Sequence, residues 1–208
     1  ETKLIFLSSP NNPTGNTIST SQVLALLETD LIVVIDEAYY EFCNQSVAHL
    51  VPKHENLVVL RTLSKWAGLA GLRIGYGIMS PKIVSHLIDI KSPYNVNIAA
   101  EAALLASLED TKFLLKNVRL IVEERQRMFS LLETLPGVKP WPSFGNFILC
   151  QFENKVANKA YEGLAKQGIF VRKFGSKRLE NCFRVAVGTP DQTNVFIDAL
   201  RELMHDYN

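Results

Sequence analysis

The stretch LIVVIDEAYYEF, Leu31–Phe42, decides the fold. Its first residues are apolar without alternation, a pattern typical of a strand that is covered on both faces, as in a parallel sheet. LVVLRT, Leu57–Thr62, repeats this pattern, and shorter strands are predicted at Leu4–Leu7 and Gly75–Met79. Helices are predicted from Ser19, which has Gln22 three residues on, and from Ser80-Pro81 to Lys91. This alternation of strands and helices indicates an α/β layered domain.

The second half of the chain has a different order of predicted helices and strands. A helix is predicted at Asn97–Leu108, and a long amphipathic helix from Thr111 to Leu135 ends at Pro136-Gly137. Further strands are predicted at Asn146–Phe152, Phe170–Phe174 and Cys182–Val187, with helices at Val156–Lys166 and Pro190–His205. We therefore predict a partial large domain (1–110), a connecting helix (111–136) and a small C-terminal α+β domain (137–208).

Bulk composition is that of an ordinary globular protein. Of the 208 residues, 47% are hydrophobic and 21% charged, and the net charge of +1 gives no reason to expect nucleic acid or a membrane surface as partner. No apolar run approaches the roughly 20 residues of a membrane span. The three cysteines and four histidines are scattered without ligand spacing, so we expect reduced thiols and no metal site.

Three motifs follow predicted strands: SSPNNPTG (8–15), DEAYYEF (36–42) and TLSKWAGLAGLRIGYG (62–77). In open parallel sheets, ligands bind beyond the carboxyl ends of the strands. Asp36 closes a buried strand, and a buried carboxylate without a partner costs several kcal/mol. Asp36 therefore holds a cation, a metal or several donors, or it caps the next turn.

The third motif carries the other groups of a candidate site. Thr62 and Ser64 supply hydroxyls and Arg73 a guanidinium, which together suit a phosphate. Lys65 lies between them, and lysine forms a Schiff base with a carbonyl. Taken alone, Lys65 is a surface lysine, and the late glycines do not match a dinucleotide fingerprint. A ligand with a carbonyl, a phosphate and a ring nitrogen for Asp36 is pyridoxal 5′-phosphate.

In this order, SPNNPTG, DEAY and RTLSKWAGLAGLRIGYG resemble the fold-type I pyridoxal-phosphate-dependent transferases, and specifically their aminotransferases. GLAGLR and PYNV (93–96) resemble the histidinol-phosphate aminotransferase branch. The resemblance implies a mostly parallel sheet with flanking helices, followed by the small α+β domain. It covers the chain from SSPNNPTG to FRVAVGTP (183–190).

The resemblance also implies roles at the cofactor. Lys65 would form the Schiff base and move the proton between the substrate Cα and the cofactor. Asp36 would keep the ring nitrogen protonated. The remaining cofactor-binding residues would be Asn12 and Tyr39 at the phenolic oxygen, with Thr62, Ser64 and Arg73 at the phosphate.

On the substrate side, Arg184 lies in a predicted strand whose same-face neighbours, Cys182 and Ala186, are small, which leaves room for an anion. Arg172 lies in IFVRKF. From the residues alone, either arginine could form a rim salt bridge. By resemblance, both would bind the phosphate of histidinol phosphate or the carboxylate of glutamate, with Asn146 and Tyr94 as further pocket residues. The implied reaction converts L-histidinol phosphate and 2-oxoglutarate to imidazole-acetol phosphate and glutamate, in histidine biosynthesis.

Members of the resembled family are longer, and what is missing would precede Glu1. We therefore expect an exposed sheet edge, weak cofactor binding and poor turnover from this chain alone. The resemblance implies a homodimer located in the cytoplasm, or in the plastid of a plant. Another pyridoxal-phosphate enzyme, such as an aromatic aminotransferase or a phospho-amino-acid decarboxylase, stays open. So does a non-catalytic module of this fold, although the intact lysine, aspartate, asparagine and arginine set argues against degeneration.

Overall fold

The computed structural model describes residues 2–153 and 156–205. The chain divides into two compact units, one made of residues 1–11 and 16–118, the other of residues 12–15 and 119–208. The division falls inside the long helix, so the segment predicted as a separate connector is shared by both units. The segment 12–15, which follows the first strand, groups with the second unit.

The first unit is built on a four-stranded sheet of order β1-β2-β3-β4. The first three strands are parallel and β4 is antiparallel to β3. The strands are β1 (Leu4–Ser8), β2 (Ile32–Asp36), β3 (Leu57–Thr62) and β4 (Gly75–Ile78). The helices are α1 (Thr20–Leu27), α2 (Pro81–Ile90) and α3 (Ile98–Glu109), followed by the long α4 (Thr111–Glu133). Every strand and helix predicted in this part is confirmed, with ends shifted by at most two residues.

Strand β2 shows why the sheet forms as predicted. Val33, Val34 and Ile35 are consecutive and all buried, so both faces of the strand are covered. Each such side chain contributes roughly 1.5–3 kcal/mol by leaving water. Asp36 follows them as the last residue of the strand and is only partly buried. The apolar run thus fixes the carboxylate at the carboxyl edge of the sheet.

The predicted helix starts and the predicted sheet edge are both present. The Ser19 side chain accepts from the backbone of Gln22, whose side chain in turn accepts from the backbone of Ser19, so a capping box opens α1. Ser80 caps α2 in the predicted way. Strand β1 is an outer strand of the described sheet, and its Phe6 is 65% exposed.

The second unit is a four-stranded antiparallel sheet of order β5-β6-β8-β7, covered by helices. Its core contains Met128 and Leu132 of α4 together with Ile148 and Phe183 of the sheet. The strands are β5 (Val138–Trp141), β6 (Phe147–Phe152), β7 (Arg172–Lys173) and β8 (Cys182–Ala186), and the remaining helices are α5 (Ala157–Lys166) and α6 (Pro190–His205).

Two predictions for the second unit need correction. The predicted strand Phe170–Phe174 is only the two-residue β7, because Phe170 lies 83% exposed and does not join the sheet. Strand β5 was not predicted at all.

No helix in the described part of the chain is both long and apolar enough to span a membrane.

Candidate functional site

A cavity of about 460 Å³ opens at the carboxyl ends of β2 and β3 in the first unit. Four of the residues predicted to bind the cofactor line it together: Asp36, Thr62, Ser64 and Arg73. The volume lies within the range of roughly 300–1,000 Å³ that is usual for small-molecule sites. The other lining residues are Ala38, Leu60, Arg61, Ile74, Gly75, Tyr76 and Gly77.

The two hydroxyls of the cavity are held by the chain around them. Thr62 Oγ1 lies 2.9 Å from Ser64 Oγ, to which it donates, and accepts from the Ser64 N–H at 3.1 Å. Leu63, between them, is 1% exposed and packs in an apolar cluster with Ile74. Burial of this leucine anchors the segment, so the neighbouring hydroxyls are kept at the cavity.

Arg73 has a backbone conformation that is rare for its residue type. Its φ of 56° lies in the left-handed region, and it follows the 3₁₀ turn Ala70–Leu72. Its Nη1 donates to the carbonyl of Ala70 at 2.9 Å, and the residue is exposed. A non-glycine residue held in this region costs of order 1–3 kcal/mol, and such strain clusters at functional sites.

Asp36, Tyr39 and Lys65 complete the predicted set within the first unit. Asp36 Oδ1 accepts from the N–H of Ala38 at 2.9 Å. Lys65 is exposed and does not line the cavity; its Nζ lies 5.8 Å from the ring centroid of Tyr39. The Tyr39 ring is buried. The lysine amine and the tyrosine thus lie near each other, on the segments that follow β3 and β2.

Other residues that line the cavity were not predicted from the sequence, notably Arg61, Gly75 and Tyr76. A Cβ on Gly75 would meet the Arg61 carbonyl oxygen at 2.6 Å, so only glycine allows this approach of β4 to β3. Arg61 reaches the buried carboxylate of Glu37. The DEAY motif contains Glu37, but nothing in its spacing indicates an arginine partner on the next strand.

The second unit contains the predicted substrate arginines. Arg184 of β8 and Arg172 of β7 are direct cross-strand neighbours. Arg184 Nη1 donates to Asn12 Oδ1 at 2.6 Å, and its guanidinium lies 5.0 Å from the ring centroid of Phe147. Its Nε is buried without a hydrogen-bond partner. Two like charges placed opposite each other, one with an unsatisfied buried donor, favour binding of an anion.

Asn146 and Tyr94 are placed differently from the arginines. Asn146 is partly buried just before β6, where its carbonyl accepts from the N–H of Val187 at 2.9 Å. Tyr94 lies between α2 and α3 and is 93% exposed, outside the cavity of the first unit.

A larger cavity of about 560 Å³ in the second unit is mostly apolar and contains none of the predicted site residues. No cluster of metal-ligating side chains occurs among residues 2–153 and 156–205.

Known proteins with a similar structure indicate the fold class of this chain, and a matching family model identifies its family. The crystal structure of histidinol-phosphate aminotransferase from Sinorhizobium meliloti in complex with pyridoxal-5′-phosphate is similar over 99% of this chain and 58% of that one, with a TM-score of 0.88 and 27% identity. The fold is therefore fold type I of the pyridoxal-phosphate-dependent transferases. The model for aminotransferase class I and II matches residues 1–200, and the chain belongs to that family.

Curated relatives are closer in sequence. Histidinol-phosphate aminotransferase of Dehalococcoides mccartyi is 46% identical over 203 residues, which are 98% of this chain and 57% of the relative. The chloroplastic histidinol-phosphate aminotransferase 1 of Arabidopsis thaliana is 47% identical, with 96% of this chain and 48% of the relative covered. The chain thus spans about half the length of the curated relatives it matches.

One carboxyl group of the first unit has a perturbed pKa. Burial raises the pKa of Glu41 from 4.5 to about 7, against the lowering effects of a backbone hydrogen bond and of Arg61. Its Oε2 is buried without a partner. The folded state therefore binds this proton more tightly than the unfolded state. Its stabilising effect is complete below about pH 4.5 and is lost as the pH rises through about 7.

We predict that Glu41→Gln is about as stable as the wild type near pH 4 and more stable near pH 8. The neutral amide cannot ionise in the buried position. The variant should therefore gain in free energy of unfolding relative to the wild type as the Glu41 carboxyl ionises with rising pH. Urea unfolding at both pH values measures the difference in the free energy of unfolding. Glu55→Gln, at an exposed position, is the control. A difference that stays constant across this range would contradict the assignment.

A second prediction concerns the paired arginines. Arg172→Gln removes the charge directly opposite Arg184 and should raise the free energy of unfolding by about 0.2–1 kcal/mol at low salt. The gain should shrink at 1 M salt, where charges are screened over about 3 Å. Arg178→Gln, also exposed but outside the strand pair, should show no such gain. A loss of stability in Arg172→Gln at low salt would show that the pair does not repel.

Proposed function

We propose that this chain is the part of a pyridoxal-phosphate-dependent histidinol-phosphate aminotransferase that carries the catalytic lysine and the substrate-binding arginines. The observation that carries the proposal is the cavity of the first unit. There, a carboxylate, two hydroxyls and an arginine face one space at the ends of parallel strands. The 46% identity to a curated histidinol-phosphate aminotransferase over nearly the whole chain supports the substrate.

The groups of the cavity fit the two ends of pyridoxal 5′-phosphate. Thr62, Ser64 and Arg73 supply donors and positive charge for the phosphate. Asp36 supplies a carboxylate that would accept from the ring nitrogen and hold its proton. When bound, the cofactor provides the carbonyl that takes up the amino group and a ring that withdraws electrons from the reacting carbon.

Lys65 is the proposed catalytic residue. Its exposed amine would hold the cofactor and then carry the proton between the substrate Cα and the cofactor. The nearby Tyr39 hydroxyl would donate to the phenolic oxygen of the ring. Asn12 is proposed as a second donor to that oxygen on the resemblance alone.

The proposed binding site for the anionic groups of the substrates lies in the second unit. We propose that Arg184 and Arg172 bind the phosphate of L-histidinol phosphate in one half-reaction and a carboxylate of glutamate in the other. The unpartnered Nε of Arg184 and the arginine opposite it support this role, because an anion would satisfy the donor and offset the repulsion. Asn146 and Tyr94 are proposed pocket residues by resemblance only.

The proposed reaction converts L-histidinol phosphate and 2-oxoglutarate to imidazole-acetol phosphate and glutamate. By the same resemblance, we propose a homodimer, located in the cytoplasm or, in a plant, in the plastid. Pocket residues from the part of the relatives that this chain does not span would add to the site, so we expect weak cofactor affinity and slow turnover from this chain alone.

The test is an absorption spectrum of the purified chain with millimolar pyridoxal phosphate, before and after L-histidinol phosphate is added. We predict a visible band that requires Lys65 and that the substrate converts. Lys65→Ala should abolish the band, because it removes the amine that is proposed to form it, whereas Lys82→Ala, at an exposed lysine of α2, should retain it.

The choice of substrate decides among the alternatives. Conversion of the band by L-histidinol phosphate, and not by tyrosine or O-phosphothreonine, supports the proposed reaction. Preferential conversion by tyrosine would indicate an aromatic aminotransferase, and release of carbon dioxide from O-phosphothreonine would indicate a decarboxylase. A band of equal intensity in the Lys65→Ala variant would contradict the proposed catalytic residue.

A further inference from the structure

A buried ion pair joins the ends of β2 and β3 beside the proposed cofactor residues. Arg61 Nε and Nη2 donate to Glu37 Oε2 at 3.1 and 3.0 Å. The Glu37 side chain is 2% exposed and that of Arg61 14%. Glu37 follows Asp36 directly and Arg61 precedes Thr62, so each member of the pair is the sequence neighbour of a proposed cofactor ligand.

Both members of the pair are held by additional groups. Glu37 also accepts from Ser46 Oγ at 2.8 Å and from the N–H of Val47 at 2.7 Å. Arg61 Nη2 donates to the same serine hydroxyl at 2.8 Å, and the guanidinium lies 3.6 Å from the ring centroid of Tyr40. A network satisfied in this way is rigid, because any rotation of the arginine breaks several contacts at once.

These contacts also distinguish Arg61 from a phosphate ligand. The residue lines the cavity, but its Nε and Nη2 are engaged by Glu37 and Ser46. The charge of the guanidinium is already balanced by a buried carboxylate. These two nitrogens are therefore not available to a phosphate in the cavity.

The pair acts where the backbone ladder between the two strands ends. Asp36 is paired with Leu60 in the parallel register, and the Glu37 N–H donates to the Leu60 carbonyl at 2.8 Å. The Glu37–Arg61 contact is the next link along this edge. Without it, the end of β2, which carries Asp36, could shift relative to the end of β3, which carries Thr62.

We propose that Arg61, through Glu37, is a positioning residue that fixes the spacing between Asp36 and the hydroxyls of Thr62 and Ser64. The proposal rests on the proposed function, in which these groups hold opposite ends of pyridoxal phosphate. Fixed spacing matters only for a ligand that reaches both ends. The affinity for a ligand that contacts only Asp36, or only the hydroxyls, should not depend on the Glu37–Arg61 ion pair.

The experiment measures dissociation constants of three ligands: pyridoxal phosphate, pyridoxal and inorganic phosphate. In Arg61→Lys the charge remains, but the fork that contacts Glu37 through two nitrogens is lost. We predict that affinity for pyridoxal phosphate falls about tenfold or more, as expected for misplaced binding groups, while affinity for the two one-ended ligands changes little. Arg119→Lys, an exposed arginine of α4, is the matched control and should leave all three constants unchanged.

Two further variants separate positioning from general destabilisation. Glu37→Gln/Arg61→Gln removes both charges and leaves no unpaired buried ion, and Ser46→Ala removes only the shared hydroxyl. Both should lower pyridoxal phosphate affinity selectively, Ser46→Ala by a smaller factor. Thermal unfolding of each variant sets the temperature at which the folded protein is titrated.

The outcomes are distinct. A lower melting temperature with unchanged affinity for pyridoxal phosphate would overturn the proposal and leave the pair a structural element. An equal loss of affinity for inorganic phosphate would also overturn it, because Arg61 would then contact the phosphate. If the wild-type chain binds no pyridoxal phosphate at millimolar concentration, the proposed function fails together with this inference, whereas unchanged binding in the variants counts against the inference alone.

Discussion

Two carboxylates at the end of one buried strand set the constraint on which the first unit depends. Desolvation of an unpaired carboxylate costs several kcal/mol, so the buried Glu37 requires a partner. Glu37 obtains its partner within the chain, from Arg61 and the groups around Ser46. Asp36 has the Ala38 N–H and faces the cavity, so the charge left at the edge of the sheet favours a cationic ligand atom.

The second unit shows the opposite arrangement of charge. Arg172 and Arg184 lie opposite each other across two strands, and one guanidinium nitrogen of Arg184 is buried without an acceptor. Like charges at such a position are unfavourable unless an anion joins them. Each unit thus presents charged side chains at its own candidate site: in the first unit a carboxylate that suits a cationic ring atom, and in the second two arginines that suit an anion.

Most of the fold could be predicted from local pattern, and the exceptions have physical causes. Strand β3 and helix α6 were predicted with their observed bounds, because continuous apolar residues and a proline start identify them. Strand β5 was missed because Pro140 argues against a central strand, although β5 is an outer strand, where proline is tolerated. The ion pair of Arg61 could not be predicted, because an arginine near the end of a strand is normally exposed to solvent. Its buried partner, Glu37, follows a different strand, and nothing in the sequence links the two.

The most direct test of the central claim is reductive trapping of pyridoxal phosphate on the wild-type chain. Borohydride makes the bond between a lysine and the cofactor irreversible, and mass spectrometry of the digested protein then locates the modified residue. At concentrations just sufficient for binding, the account predicts modification of Lys65 and no comparable labelling of other exposed lysines such as Lys82. Labelling spread evenly over the exposed lysines would contradict a built cofactor site at the ends of β2 and β3.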